Sequence, residues 1–170
     1  MNTGDKIVKS KNKMLSTIAW KIDNKVTYAI EGGVFVAGAL IQWLRDKLKI
    51  INKASEIEEL ASTVKNNGGV TFLPSLSGLG APYWDPKATG AIIGITRGTE
   101  NGHIALAALE SIALRTREII IEMEKDAGIK FKSFKVDGGA SENNLLMQIQ
   151  SNFLNKIVVR IKVSYMSYSM

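Results

Sequence analysis

Apolar positions come in short blocks whose spacing changes along the chain, and each block predicts an element. Ile7-Val8 and the apolar residues of 14–20 are divided by the polar turn 9–13, which predicts a hairpin. Residues 26–30 predict a further strand after the turn Asp23-Asn24-Lys25, so three short strands in meander order are expected. Residues 1–4 read as a turn with no strand of their own. From Val34 the period changes. Val34, Ala37, Ile41, Leu44 and Leu48 recur every three or four residues, the repeat of an amphipathic helix over 33–48. Ser55 and Glu58 have the spacing of a capping box for a second helix through Val64, which Asn66-Asn67-Gly68-Gly69 would end.

Residues 70–73 read as a strand. The following stretch, 74–90, is rich in glycine and proline and longer than an ordinary connection, which marks it as a landmark or a functional loop. Strands are expected again at 91–96, 131–136 and 157–163, and helices at 103–123 and 143–154. There is no internal repeat, and the tail 164–170 fits no amphipathic pattern. Strands and helices alternating through the second half predict an α/β domain.

Composition narrows the function more than the fold. The 170 residues suit one domain, and 45% hydrophobic with 22% charged residues is ordinary for a globular protein. Without cysteine there are no disulfides or thiolate metal sites, and the single histidine, His103, argues against a histidine-built one. The net charge of +6 raises the question of nucleic acid. Its excess, however, lies in Lys6, Lys9, Lys11, Lys13, Lys21 and Lys25, with Trp20 as the only aromatic among them; this reads as a solvated face, and no nucleic-acid partner is expected. No apolar run is long enough to span a bilayer and the start is polar, so no membrane partner and a cytoplasmic location are expected.

Two glycine elements are the candidates for chemistry. The first is a strand running into Asp137-Gly138-Gly139-Ala140-Ser141-Glu142-Asn143 and then a helix. Such a junction gathers free backbone N–H groups and a helix dipole where nucleotide sugars and phosphates commonly bind, but a plain tight turn capped by Asn143 reads equally well. The second is Gly32-Gly33 ahead of a helix that carries Gly38 and Gln42. A glycine inside a helix costs about 1 kcal/mol against alanine, so Gly38 needs either close packing or a flat ligand beside it, with Gln42 one turn on to hydrogen-bond that ligand. His103 reads as a solvated or capping residue, Asp85 as a turn residue and Glu110 as a structural hydrogen-bonder. Tyr83-Trp84 read as an apolar anchor for the long loop.

These pieces together resemble a known family. YAIEGGVFVAGALIQWLRD (28–46), LSGLGAPYWDPKATGAIIGITRGT (76–99), HIALAALESIALRTREII (103–120) and KVDGGASENNLLMQIQSNFL (135–154) are similar to the C-terminal half of glycerol kinases of the FGGY carbohydrate-kinase family. The resemblance runs from about residue 2 to 163, with 164–170 a non-family tail. It implies an α/β, ribonuclease H-like (actin-like ATPase) fold, a mixed sheet with flanking helices, incomplete at both ends. It also implies ATP and Mg2+ as cofactors and phosphorylation of glycerol to glycerol 3-phosphate. The family's adenine-nucleotide contacts fall on Gly38, Gln42, Gly139 and Asn143. Its catalytic aspartate, phosphate loop and most of the glycerol pocket are expected upstream of Met1, and its proline after Arg160 is Ile161 here. The chain alone is therefore expected to be inactive, with ATP or ADP as its ligand and glycerol a partner only with an N-terminal lobe. That lobe could be separately encoded, or the chain could form homo-oligomers. The alternatives are a non-catalytic nucleotide-binding remnant or a lobe of another FGGY sugar kinase.

Overall fold

β2 (Leu15–Ile22) and β3 (Lys25–Glu31) form an antiparallel hairpin around a two-residue turn, in which Asp23 takes the left-handed conformation at φ 52°. Aspartate tolerates that region better than most residues. In the computed structural model, which describes residues 1–161, the first strand is not Ile7-Val8 but β1 (Asn2–Gly4). It pairs with the other edge of β3, so the sheet order is β1-β3-β2 rather than a meander. Residues 1–4 have no apolar alternation to announce a strand; the free edge of β3 makes them one. The Met1 amine donates to the Ile30 carbonyl at 2.6 Å, and the Ile30 N–H to the Met1 carbonyl at 2.8 Å.

Asp126 fastens the loop between β1 and β2. Its carboxylate accepts from the Ser10 hydroxyl, from the Lys11 N–H at 2.9 Å and from the Asn12 amide at 2.9 Å. Burial pushes this carboxyl up, but the hydrogen bonds outweigh it and hold the group below the usual carboxylate range.

The first helix starts later than its periodicity predicts. α1 spans Gly38–Trp43 and runs into a π-helical turn, Leu44–Leu48, which ends at Lys49 with φ 55°. Residues 33–35 are taken up by packing against the long loop: a Cβ on Gly80 would fall 2.2 Å from the Gly33 carbonyl oxygen. Only glycine permits that approach. α2 (Glu56–Ala61) is also shorter than expected. β4 (Thr71–Leu73) and β5 (Ala91–Ile93) pair antiparallel, with residues 94–96 outside the strand.

α3 (Asn101–Ala127) extends past both expected ends and stops at Gly128, φ 64°. His103 Nδ1 accepts the Glu100 N–H at 3.0 Å, the capping role expected of it. Asn67 donates to Glu110 at 2.7 Å and the Lys87 N–H to Asp85 at 2.9 Å, so these two acids do the structural work expected of them. β6 (Ser133–Val136), α4 (Asn144–Leu154) and β7 (Ile157–Arg160) form a parallel strand–helix–strand unit. Parallel and antiparallel pairings thus both occur, in three small sheets. The expected tail 164–170 and the end of the last strand at Val163 lie outside the described residues.

α3 is the spine of the core. Its alanines Ala105, Ala108 and Ala113 are fully buried and let neighbouring elements come close, so that Leu40, Leu44, Ile57, Phe72 and Leu146 close over them. Each such large side chain stabilises by roughly 1.5–3 kcal/mol on burial. A smaller cluster of Met14, Ile30, Ala81 and Ile119 ties the three-stranded sheet and the long loop to the same helix. In that loop Tyr83 and Trp84 do not anchor through buried rings, as expected, and remain 50% and 39% exposed. Their polar tips hold instead: the Tyr83 hydroxyl donates to Glu118, and Trp84 Nε1 to the Lys13 carbonyl at 2.7 Å. Arg115 completes the latch, donating to the Ala81 carbonyl at 2.9 Å, pairing with Glu118 and lying 5.2 Å over the Tyr83 ring.

Candidate functional site

The turn after β6 and the start of α1 face each other across a cavity of about 640 Å³. Gly38, Gln42, Gly139 and Asn143 all line it. One wall is α1 with the start of α2, contributing Gly38, Ala39, Gln42, Ser55 and Glu58. The other is a 3₁₀ turn, Gly139–Glu142, with the cap of α4, contributing Gly139, Ala140 and Asn143.

Small residues give the slot its shape. Gly38 is the first residue of α1 rather than an interior one, so it carries no helix-interior cost, correcting that expectation. A Cβ there would meet Ala140 Cβ at 3.7 Å, and one on Gly139 would meet nothing within 4 Å. The backbone at Gly139 is therefore open to a ligand. Gly138 turns the chain from β6 into this wall at φ 85°.

The polar groups are disposed differently from expectation. The start of α4 was expected to offer free N–H groups to an anion. Instead the Asn144 and Leu145 N–H groups donate to the two oxygens of Glu58, at 3.0 and 3.3 Å, and the Leu146 N–H to Asn143 Oδ1 at 2.7 Å. Ser55 and Glu58 accordingly form no capping box on α2; no side-chain cap is made by Ser55. With Oδ1 committed to the cap, the amide nitrogen of Asn143 donates no hydrogen bond among the described residues. Among the described residues the lining includes the acids Glu58 and Glu142 and no lysine or arginine. A flat, largely uncharged group suits this slot better than a polyphosphate. Ser55, Glu58 and Glu142 were not expected in the site; Ser55 and Glu58 have the spacing of a local cap, and spacing alone cannot tell that from the bond Glu58 makes to a helix 86 residues away.

A second cavity, of about 500 Å³, lies between β4 and the outer face of α3, lined among others by Phe72, Pro74, Leu114, Arg117 and Glu122. Among the described residues no three His, Cys, Asp or Glu side chains come together to hold a metal ion, and no helix is long and apolar enough to cross a membrane.

Residues 6–166 match the family profile "FGGY family of carbohydrate kinases, C-terminal domain". The chain is 63% identical to the glycerol kinase of Dichelobacter nodosus, over 96% of this chain and 33% of that protein. It is 57% identical to the glycerol kinase of Carboxydothermus hydrogenoformans, over 94% of this chain and 32% of that protein. It thus spans about a third of the length of the curated relatives it matches. Among solved structures, Plasmodium falciparum glycerol kinase with ADP superimposes with a TM-score of 0.88 at 37% identity, over 96% of this chain and 33% of that one. Ligand-bound xylulose kinase from Lactobacillus acidophilus, at 22% identity, shares the fold, with a TM-score of 0.79 over 94% of this chain and 32% of that one. The α/β fold of ribonuclease H-like, actin-like ATPases is therefore the one adopted, and the chain belongs to the FGGY family of carbohydrate kinases, as its C-terminal domain.

Proposed function

We propose that this chain is the nucleotide-binding part of a glycerol kinase and that the slot between α1 and α4 takes the adenosine end of ATP or ADP. The observation that carries the reading is that four residues from two distant segments, Gly38 and Gln42 with Gly139 and Asn143, line a single slot whose backbone is open at Gly139. The identity with glycerol kinases and the likeness to one solved with ADP support it. Gly38 and Gly139 leave room for a flat ring, and the amides of Gln42 and Asn143 supply hydrogen bonds to it.

With no lysine or arginine among the described residues lining the slot, the phosphates would extend beyond it, and Mg2+ would be held with them outside the slot. When bound, Mg2+ would neutralise charge on the transferring group. In the reaction the γ-phosphorus leaves the ADP oxygen and bonds to a glycerol hydroxyl oxygen, whose proton passes to a base. On this reading the base and most of the glycerol pocket come from outside the span covered here. The contribution of this chain is positioning, which carries most of the catalysis in phosphoryl transfer. Calorimetric titration of ADP into the chain tests the reading: saturable one-site binding is expected, and no heat at millimolar ADP would overturn it.

A further inference from the structure

Two walls form the slot, and among the described residues the hydrogen bonds that join them are those of Glu58. This residue sits on α2, in the first wall, and its carboxylate spans to the Asn144 and Leu145 N–H groups of α4, the helix that ends the second wall. Asn143 is the cap of that same helix, holding the Leu146 N–H. Glu58 therefore fixes the first turn of α4 at its outset, and with it the residue whose amide faces the slot.

We infer that Glu58 is a positioning residue of the slot: by bridging α2 to the start of α4 it sets the separation of the walls and the placement of Asn143 and Gly139. This rests on the reading of the slot as a nucleotide site. Glu58 accepts two backbone hydrogen bonds, at 3.0 and 3.3 Å, one on each carboxylate oxygen. Removing its carboxylate leaves the two N–H groups without their partner and leaves the walls joined by apolar packing alone, which holds their spacing less closely. The effect reaches the ligand through Asn143 and Gly139, so it weakens adenosine and ADP by the same factor. A residue acting on the phosphates would discriminate between the two.

The test uses the 170-residue chain and the variants Glu58→Ala, Glu58→Gln and Lys156→Met. Lys156 pairs with Glu124 at 2.8 Å just beyond the other end of α4, so its loss destabilises the same helix without touching the slot. Glu58→Ala should weaken ADP and adenosine by the same factor, about tenfold, which corresponds to about 1.4 kcal/mol of lost positioning. Glu58→Gln, which keeps one acceptor oxygen, should recover part of that. Lys156→Met should lower the melting temperature and leave affinity within about twofold, as expected for a distant site. Unchanged affinity in Glu58→Ala, with only a lower melting temperature, would reduce Glu58 to a structural cap and overturn the inference.

Amide NMR keeps the inference separate from the nucleotide reading. In the ligand-free chain, Glu58→Ala should move the signals of Gly139 and Asn143 as well as those of Asn144 and Leu145. Movement confined to Asn144 and Leu145 would sink the positioning role even where ADP binds. Absence of ADP binding by the wild-type chain would sink the nucleotide reading alone, with the wall-setting role then judged on these signals. Should Glu58→Ala fail to fold, Glu58→Gln carries both measurements.

Discussion

The two cavities differ little in size, about 640 and 500 Å³, and sharply in what their polar groups are free to do. In the cavity beside β4, Arg115 is committed to Ala81 and Glu118, Glu118 also to Tyr83, and Glu122 to Lys125, while Arg117 makes no hydrogen bond or ion pair among the described residues. Three of the four charged side chains lining it are thus spent within the protein. In the slot between α1 and α4 glycine and alanine stand beside Gln42, Ser55, Glu58, Glu142 and Asn143, and the amides of Gln42 and Asn143 donate no hydrogen bond among the described residues. A binding site is recognised less by its volume than by polar groups whose bonds are not already spent within the protein.

Substituting Gly139 should break this comparison most severely. Gly139→Val places a branched side chain in open slot rather than against protein, so the fold should tolerate it while ADP binding is lost. Calorimetry beside a thermal melt decides this. Equal binding by the variant would move the site elsewhere.

Arg115→Met should do the reverse. It removes the guanidinium from a buried latch and leaves Glu118 and the Ala81 carbonyl without it, a cost of about 3 kcal/mol or about 6–12 °C in melting temperature. Affinity for ADP, measured well below the melt, should stay within about twofold, because the latch and the slot share no partner.

Asn143→Ser sharpens the comparison within the slot. Serine is as good an N-cap as asparagine, so the melt should hold, while loss of the amide should weaken ADP by about 1 kcal/mol, roughly fivefold. A drop in stability without a drop in affinity would show Asn143 to be a cap alone.

The smallest effect concerns the loop at Asp126. A carboxyl whose folded pKa is depressed contributes stability above its unfolded value, and that stability is lost as pH falls through the folded one. Lowering the pH from about 4, the ordinary aspartate range, through the depressed pKa of Asp126 should therefore loosen residues 10–13. The protection of the Lys11 and Asn12 amides against exchange, taken relative to the intrinsic rate at each pH, should fall as the pH is lowered, and Asp126→Asn should show much of that loss already at neutral pH.

What could be read from the chain follows from how local each feature is. The period of α3, the glycine- and proline-rich loop and the turn after β6 are set by neighbours in sequence, and each appears in the structure with shifted ends. β1 was invisible because Asn2-Thr3-Gly4 becomes a strand only by lying against β3. The start of α1 was misjudged because Gly33 packs under Gly80, a contact periodicity cannot register. The slot residues were legible as glycines and amides beside helix starts. Glu58 was misread, since its partners lie 86 and 87 positions on.

The bonds at Asp126 also bear on the order in which the molecule is assembled. They join residues 114 to 116 positions apart, so they close only after the last turn of α3 exists. Hairpins and helices form in microseconds from near neighbours, while contacts of long sequence separation come late. The β2–β3 hairpin is thus ready long before the loop beside it is tied to α3. β2, an edge strand with all eight residues exposed, keeps its free edge after those bonds close, so pairing with a strand of another copy is open to the finished fold as well as to the assembling one.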